Sequence, residues 1–185
     1  MRFHCAVFAT TLATNIFAYD SVPDWVSSAP ALTDPAMLGA ANAVVRRADT
    51  LVSVEADGTF VTERRIVVEI LRNEGSSLAQ DSESYNAASD KVIEASAWIV
   101  RQGREVEQKS KREWTDLAAN AEGAIIDETR RIAIDLSYRA VKGDLIVFAT
   151  TIRTREFLGD HFFGYAAGTI PRASMIVQFT LPPGW

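Results

Sequence analysis

The turn Lys142-Gly143-Asp144 is the first place where residue types and spacing suggest chemistry. A lysine beside a glycine occurs in phosphate-binding loops, and an aspartate can serve as an acid or a base. A phosphate loop, however, needs several glycines between a strand and a helix, and here one glycine precedes an apolar, strand-like run. We therefore predict a structural turn, in which Gly143 supplies the backbone geometry and Asp144 bonds the backbone.

Other carboxylates are plentiful along the chain. Asp81 and Glu83 are two residues apart, but their stretch lacks the ligand spacing and the central glycine of a calcium loop. A hydrolase that uses two carboxylates could still be assembled across the fold, because such pairs are set by space and not by sequence. That hypothesis predicts an Asp–Glu pair in one cleft, with a raised pKa on one member.

Nucleophiles and soft metal ligands are scarce. The sequence holds one cysteine, Cys5, and two histidines, His4 and His161. Cys5 and His4 fall in a stretch that resembles a leader, so the mature chain would have no thiolate nucleophile, no disulfide and no Cys/His zinc site. We expect no cofactor and no metal, and we predict that this chain is not itself an enzyme.

Aromatic side chains offer the remaining candidate site. A loop that bears His161 lies within the aromatic stretch "GDHFFGY", and two tryptophans could provide a stacking surface. The alternative is that the loop packs on the end of the fold and that Trp98 is a core or interface residue, whereas Trp114 follows "KSKRE" and would be exposed. The candidate ligand-facing residues, for a peptide or a glycan, are His161, Phe162, Phe163, Tyr165, Trp98 and Trp114.

The N-terminal residues 1–18 are typical of a signal peptide. Arg2 precedes a mostly apolar run, and Ala18 supplies a small residue at the cleavage position. The run is too short and too rich in threonine for a stable membrane span. We therefore expect an exported protein, periplasmic or extracellular. The net charge of −5 argues against nucleic acid as a partner.

The rest of the chain has a β pattern. Residues 19–42 form a Pro- and Ala-rich lead-in, in which Asp34 and Pro35 could begin a short helix. Residues 43–185 contain seven or eight strand-like runs, with hairpin turns predicted at Asp57-Gly58 and Gln102-Gly103. "DLIVFATTIRTRE" is the most apolar run and is expected at the centre of a sheet. The segments "NEGSSLAQDSESYNAASD" and "DLAANAEG" are predicted to be loops, the first of them a loop or an edge segment.

These elements predict an all-β fold, an antiparallel β-sandwich. The sequence stops at Trp185, directly after a strand-like run and a Pro-Pro-Gly turn. We therefore expect a domain that is truncated at its C-terminal end.

The order of local phrases resembles one bacterial family. "PDWV", "NAVVRR" and "VEADGTFVTERRIVVEILRNEG" are followed by "SYNAASDKVIEASAWIVRQGREVEQ", "AIIDETRRIAIDL", "KGDLIVFATTI" and "PRASMIVQFTLPPG". Together they resemble the family called domain of unknown function 3857. The resemblance implies a β-sandwich that lies N-terminal to a transglutaminase-like domain in exported proteins.

The resemblance does not bring an activity with it, because the Cys-His-Asp triad belongs to the transglutaminase-like partner. Our leading hypothesis is thus a non-catalytic exported domain that positions substrate for a downstream transglutaminase- or protease-like domain of the same polypeptide. The alternative is a free-standing module that binds a glycan or a peptide.

Overall fold

The computed structural model describes residues 21–118, 128–155 and 170–184. Two short α-helices, α1 (Asp24–Ser27) and α2 (Pro35–Ala40), precede the strands, and 3-10 helices lie at Asn73–Leu78 and Lys111–Glu113. The strands are β1 (Ala43–Val54), β2 (Phe60–Ile70), β3 (Gln80–Asn86), β4 (Asp90–Arg101), β5 (Arg104–Lys109), β6 (Thr115–Ala118), β7 (Thr129–Asp135), β8 (Leu145–Thr154) and β9 (Met175–Thr180). The all-β prediction is confirmed.

Within this part of the chain the strands form two sheets. The larger has the order β5-β4-β8-β2-β1-β9, and the smaller has the order β3-β7-β6. Neighbouring strands are antiparallel with one exception, since β9 runs parallel to β1. The predicted antiparallel arrangement therefore holds for the other described strand pairs and not for the last strand. Alternation of side chains along a strand predicts its two faces but not its direction, so the sequence pattern could not reveal this.

The predicted turns and boundaries are confirmed in several places. Asp57-Gly58 joins β1 to β2, and the backbone N–H of Thr59 donates to the Asp57 carboxylate at 2.9 Å. Gln102-Gly103 joins β4 to β5. The Asp34 side chain accepts a hydrogen bond from the N–H of Ala36 at the start of α2. Each turn thus follows the local chemistry that its residues favour.

The main core lies between the two sheets. Both sheets contribute aliphatic side chains from every second position of their strands, as half-buried strands require. The buried members are Ala43, Val45, Val68, Ile70, Val92, Ala95, Ala97, Ile99, Ile146 and Phe148 of the larger sheet, Ile132 and Ile134 of the smaller sheet, and Ala79, Trp114, Leu136 and Ala140 of the connecting segments.

The outer face of the larger sheet is covered by the lead-in. Val26 and Ala29 pack there with residues of β2, β4 and β8, namely Val67, Trp98, Val100, Val147 and Ala149. The guanidinium of Arg47 donates to the carbonyl of Trp25 at 3.0 Å. Strand β8 is therefore buried on both faces, which explains its continuous apolar run and confirms its central position.

Of the two segments predicted to be loops, the first agrees with its alternative as an edge segment and the second differs. The polar stretch after β2 forms a 3-10 helix and then β3, an edge strand of the smaller sheet. The other segment contributes residues 116–118 to β6. Strand β3 carries mostly polar side chains and β6 is only four residues long, so neither has a hydrophobic alternation to detect.

Candidate functional site

A pocket opens at one end of the sandwich, between the two sheets. Its volume is about 320 Å³, and residues of four strands and of the second 3-10 helix surround it. The lining residues are Tyr85, Ala87, Asp90, Lys91, Val92, Lys111, Trp114, Asp116 and Ile132. The wall is mixed, with buried Val92 and Ile132 on one side and ionisable groups at the rim.

The rim of the pocket is organised around Asp116. The Tyr85 hydroxyl donates to Asp116 Oδ2 at 2.8 Å, and Arg130 Nε donates to Oδ1 at 2.9 Å. Burial raises the pKa of Asp116, but the hydrogen bonds from Tyr85 and Arg130 outweigh it, so the pKa lies below its usual value. A carboxylate held in its ionised form is a weak base, so Asp116 is suited to binding and not to proton transfer.

Lys111 and Trp114 also line the pocket. Ser110 and Glu113 make a reciprocal capping box that fixes the 3-10 helix between them. From this helix the Lys111 ammonium donates to the carbonyl of Val92. Trp114 packs edge-on against Phe148, with ring centroids 6.4 Å apart and an interplanar angle of 82°.

Trp114 was expected to be exposed, and this expectation is wrong. The residue is only 6% exposed, because the capped 3-10 helix turns the chain inward directly before it. It nevertheless lines the pocket. The position of Trp114 is therefore compatible with the hypothesis that it faces a ligand, although its indole is buried and not exposed.

Trp98 does not face a ligand in this structure. Its side chain is fully buried beneath the lead-in, in the cluster on the outer face of the larger sheet. The alternative reading of Trp98 as a core residue is the correct one. Strand parity predicted this, since Trp98 and Val100 share the same buried face.

The aromatic loop lies outside the described residues. His161, Phe162, Phe163 and Tyr165 therefore stay predictions from the sequence, as does the signal peptide at 1–18.

A carboxylate pair does come together between the sheets. Arg64 of β2 donates from Nη1 to Asp81 Oδ2 at 2.8 Å and to Glu83 Oε2 at 2.9 Å, both on β3. Burial raises the pKa of Glu83, which the attraction of Arg64 only partly offsets. The guanidinium joins both carboxylates, so this arrangement is an ionic link between sheets, and neither acid lines the pocket described above.

The turn at Lys142-Gly143-Asp144 is structural, as predicted. Gly143 has a φ of +91°, and the Asp144 carboxylate accepts a hydrogen bond from the N–H of Val141 at 3.0 Å. The sequence did not reveal the second partner, Arg101, whose Nε and Nη2 donate to the two carboxylate oxygens at 2.8 and 2.9 Å. Arg101 is the last residue of β4 and is far from Asp144 in the sequence. No local sequence pattern could therefore have identified it as the partner of Asp144.

Within the described ranges, no group of three His, Cys, Asp or Glu side chains is arranged to hold a metal ion. In the same part of the chain, no helix has the length and apolar character that crossing a membrane would require.

Comparison with known proteins gives a family and a fold. Residues 56–184 match the family described as "Domain of Unknown Function with solved-structure structure (DUF3857)". No curated protein matches the chain. The fold is similar to that of a "putative protease" from Parabacteroides distasonis, with a TM-score of 0.61 and 12% sequence identity. The match covers 77% of this chain but 29% of that one, so the chain spans less than a third of the length of this neighbour.

Proposed function

The chain belongs to the DUF3857 family, and on that premise we propose that it is a non-catalytic β-sandwich domain that binds a peptide and positions it. The recipient of the peptide would be a protease- or transglutaminase-like domain of the same polypeptide. In this role the domain supplies binding energy and orientation, and the companion domain supplies the nucleophile.

The pocket between the sheets is the observation that carries this proposal. It combines an apolar wall with fixed polar groups, which is the usual composition of a ligand pocket. Its ionised Asp116 accepts hydrogen bonds from Tyr85 and Arg130, so this acid orders the rim of the pocket and is a poor proton donor or base. The fold neighbour supports a companion domain, because it is a much longer chain described as a "putative protease".

Obstruction of the pocket tests the proposal. Ala87 is exposed in the turn before β4 and lines the pocket, so Ala87→Trp would fill the mouth without disturbing the core. In the full polypeptide, we expect Ala87→Trp to raise KM and to lower kcat/KM for a peptide substrate, because the domain no longer binds and orients it.

Ala88→Trp is the matched control, because Ala88 is also exposed in this turn but does not line the pocket. Equal KM values for wild type and both variants would refute the proposal. A full polypeptide that has no hydrolase or transferase domain would refute it as well.

The second candidate, a free-standing binding module, is favoured by the two aromatic residues of the pocket, Tyr85 and Trp114. Aromatic faces bind sugars and apolar side chains alike. Such a module would bind its ligand with the same affinity whether or not other domains are attached. Titration of the isolated and the full-length protein with one ligand distinguishes the two candidates.

We also propose that the protein is exported. This proposal depends on the signal-peptide pattern of residues 1–18 alone. Fractionation of cells that produce the full polypeptide would test it, with recovery in the cytoplasm as the contrary outcome.

A further inference from the structure

Two lysines, Lys91 and Lys111, line the pocket, and neither forms an ion pair within 4.0 Å among the described residues. Lys111 is held at the pocket by the second 3-10 helix. Its ammonium donates to the carbonyl of Val92, which leaves two further N–H groups. Lys109, two residues earlier, is different, because its ammonium lies 3.0 Å from Glu107 and 3.1 Å from Glu113. One lysine of this segment thus forms ion pairs with two acids. The other forms none among the described residues, although its charge helps to lower the pKa of Asp116 across the same pocket.

The acids of the pocket are already occupied by protein donors. Asp116 accepts from Tyr85 and Arg130, and Asp90 accepts from the N–H of Asn86 at 2.8 Å and from the Ser89 hydroxyl at 3.0 Å. The pocket therefore has a donor to offer and few acceptors. A ligand that complements it brings an acceptor, and an anionic acceptor is favoured because charge-assisted hydrogen bonds are the strong ones.

The apolar wall limits the chemistry of the ligand group that can lie next to the anion. Val92 and Ile132 are 6% and 4% exposed and belong to the main core, and Trp114 adjoins them. Lys91, which precedes Val92 on β4, is exposed and also lines the pocket. A volume of about 320 Å³ is at the small end of ligand pockets. It suits one apolar side chain with its charged group and is too small for an oligosaccharide.

We propose that the pocket captures the C-terminal carboxylate of a peptide whose last side chain is apolar. Lys111 pairs with the carboxylate, and Val92, Ile132 and Trp114 receive the side chain. Capture of a C-terminal carboxylate is an established mode of peptide recognition. This inference rests on the proposed function in one respect, namely that the ligand is a peptide.

Calorimetric titration of the whole chain with two probes tests the inference. The probes are N-acetyl-Ala-Ala-Phe with a free carboxylate and the same peptide with a C-terminal amide. We expect the acid to bind the wild-type protein at least about tenfold more tightly, since hydrogen bonds to charged groups are stronger than those between neutral groups. Lys111→Met should remove this preference and leave the affinity for the amide unchanged.

Lys142→Met is the matched control, because it removes the same charge from an exposed turn remote from the pocket. Its preference for the acid should equal that of the wild type. Circular dichroism of each variant verifies folding.

The contrary outcomes separate the two proposals. Equal binding of acid and amide, abolished by Ala87→Trp, would overturn carboxylate capture and leave peptide binding intact. No binding of either peptide to folded wild type would overturn both. A preference for the acid that depends on Lys111, with no effect of Ala87→Trp on KM in the full polypeptide, would uphold the capture and overturn the positioning role.

Discussion

Asp144 and Arg101 share an ion pair whose two ends differ in their access to water. The Asp144 side chain is fully buried, whereas the Arg101 side chain is 41% exposed. The consequences of removing each partner therefore differ. Without Asp144, the arginine can turn to solvent, but without Arg101 a carboxylate is left in the protein interior with no counter-ion.

This asymmetry gives a first prediction. Arg101→Met should lower the free energy of unfolding, and adding Asp144→Asn to it should restore part of the loss, because an amide replaces the isolated charge. Urea denaturation of the single and double variants measures the coupling. If the double variant is less stable than Arg101→Met alone, the pair does not act as described.

Glu83 gives a prediction that depends on pH. Burial raises its pKa in the folded protein above the ordinary value, so the ionised form is disfavoured on folding. Its contribution is then most favourable below the unfolded pKa and is lost as the pH rises through the folded pKa. The stability of wild type relative to Glu83→Gln should therefore fall as the pH rises above the ordinary pKa of a glutamate, about 4.3, as measured by urea denaturation.

Asp135 is the control of opposite sign. Hydrogen bonds from Ser137 lower its pKa, so its stabilisation is present above the unfolded pKa and is lost as the pH falls. The stability of wild type relative to Asp135→Asn should thus rise with pH. If the stability differences for both variants change with pH in the same direction, the causes assigned to the two pKa shifts are wrong.

At the scale of elements, the β4–β5 hairpin has an imperfect turn. Its two central residues both have positive φ, 53° for Gln102 and 75° for Gly103. This is the turn geometry that suits a right-handed twist, but a residue with a Cβ pays for the left-handed conformation. The hairpin therefore carries a small local cost at Gln102.

Replacement of Gln102 by glycine should relieve that cost. We expect Gln102→Gly to stabilise the protein by about 0.5–1 kcal/mol, the left-handed penalty of about 1–2 kcal/mol being partly offset by the greater entropy of glycine in the unfolded chain. Thermal denaturation provides the measurement. Gly103→Ala should act in the opposite direction, and a destabilised Gln102→Gly would show that the turn has another geometry.

At the scale of the whole molecule, the structure has three layers. The lead-in, the larger sheet and the smaller sheet are stacked, with apolar clusters on both faces of the larger sheet. The family match begins at residue 56, after the end of β1. The structural unit is therefore larger than the matched range, because β1 lies inside the sheet and the lead-in covers its outer face.

Removal of the lead-in should consequently expose the outer cluster. A chain that begins at residue 43 would leave Trp98, Val67 and Val147 open to water, although all three are fully buried in the intact protein. We expect it to bind the dye ANS strongly and to lose near-ultraviolet circular dichroism, while a chain that begins at residue 21 does neither. Identical spectra for the two chains would show that the lead-in is dispensable.

The sequence predicted those parts of the fold whose cause is local. The turns at Asp57 and Gln102, the helix start at Asp34 and the alternating strands all follow from neighbouring residues. The direction of β9 and the burial of Trp114 depend on tertiary pairing and on a capped 3-10 helix. The pocket was missed because residues from Tyr85 to Ile132, brought together from separate strands, carry no shared motif.

The parallel pairing of β1 with β9 affects how the protein folds while it is being synthesised. Ala48 pairs with Met175, more than a hundred residues later, so this contact closes one of the longest loops in the chain. At a synthesis rate of about 5–20 residues per second, β9 would be made roughly 6–25 s after β1. Until then the outer edge of β1 has no partner from its own chain. During that interval the nascent protein is thus most prone to pair the outer edge of β1 with a strand of another chain.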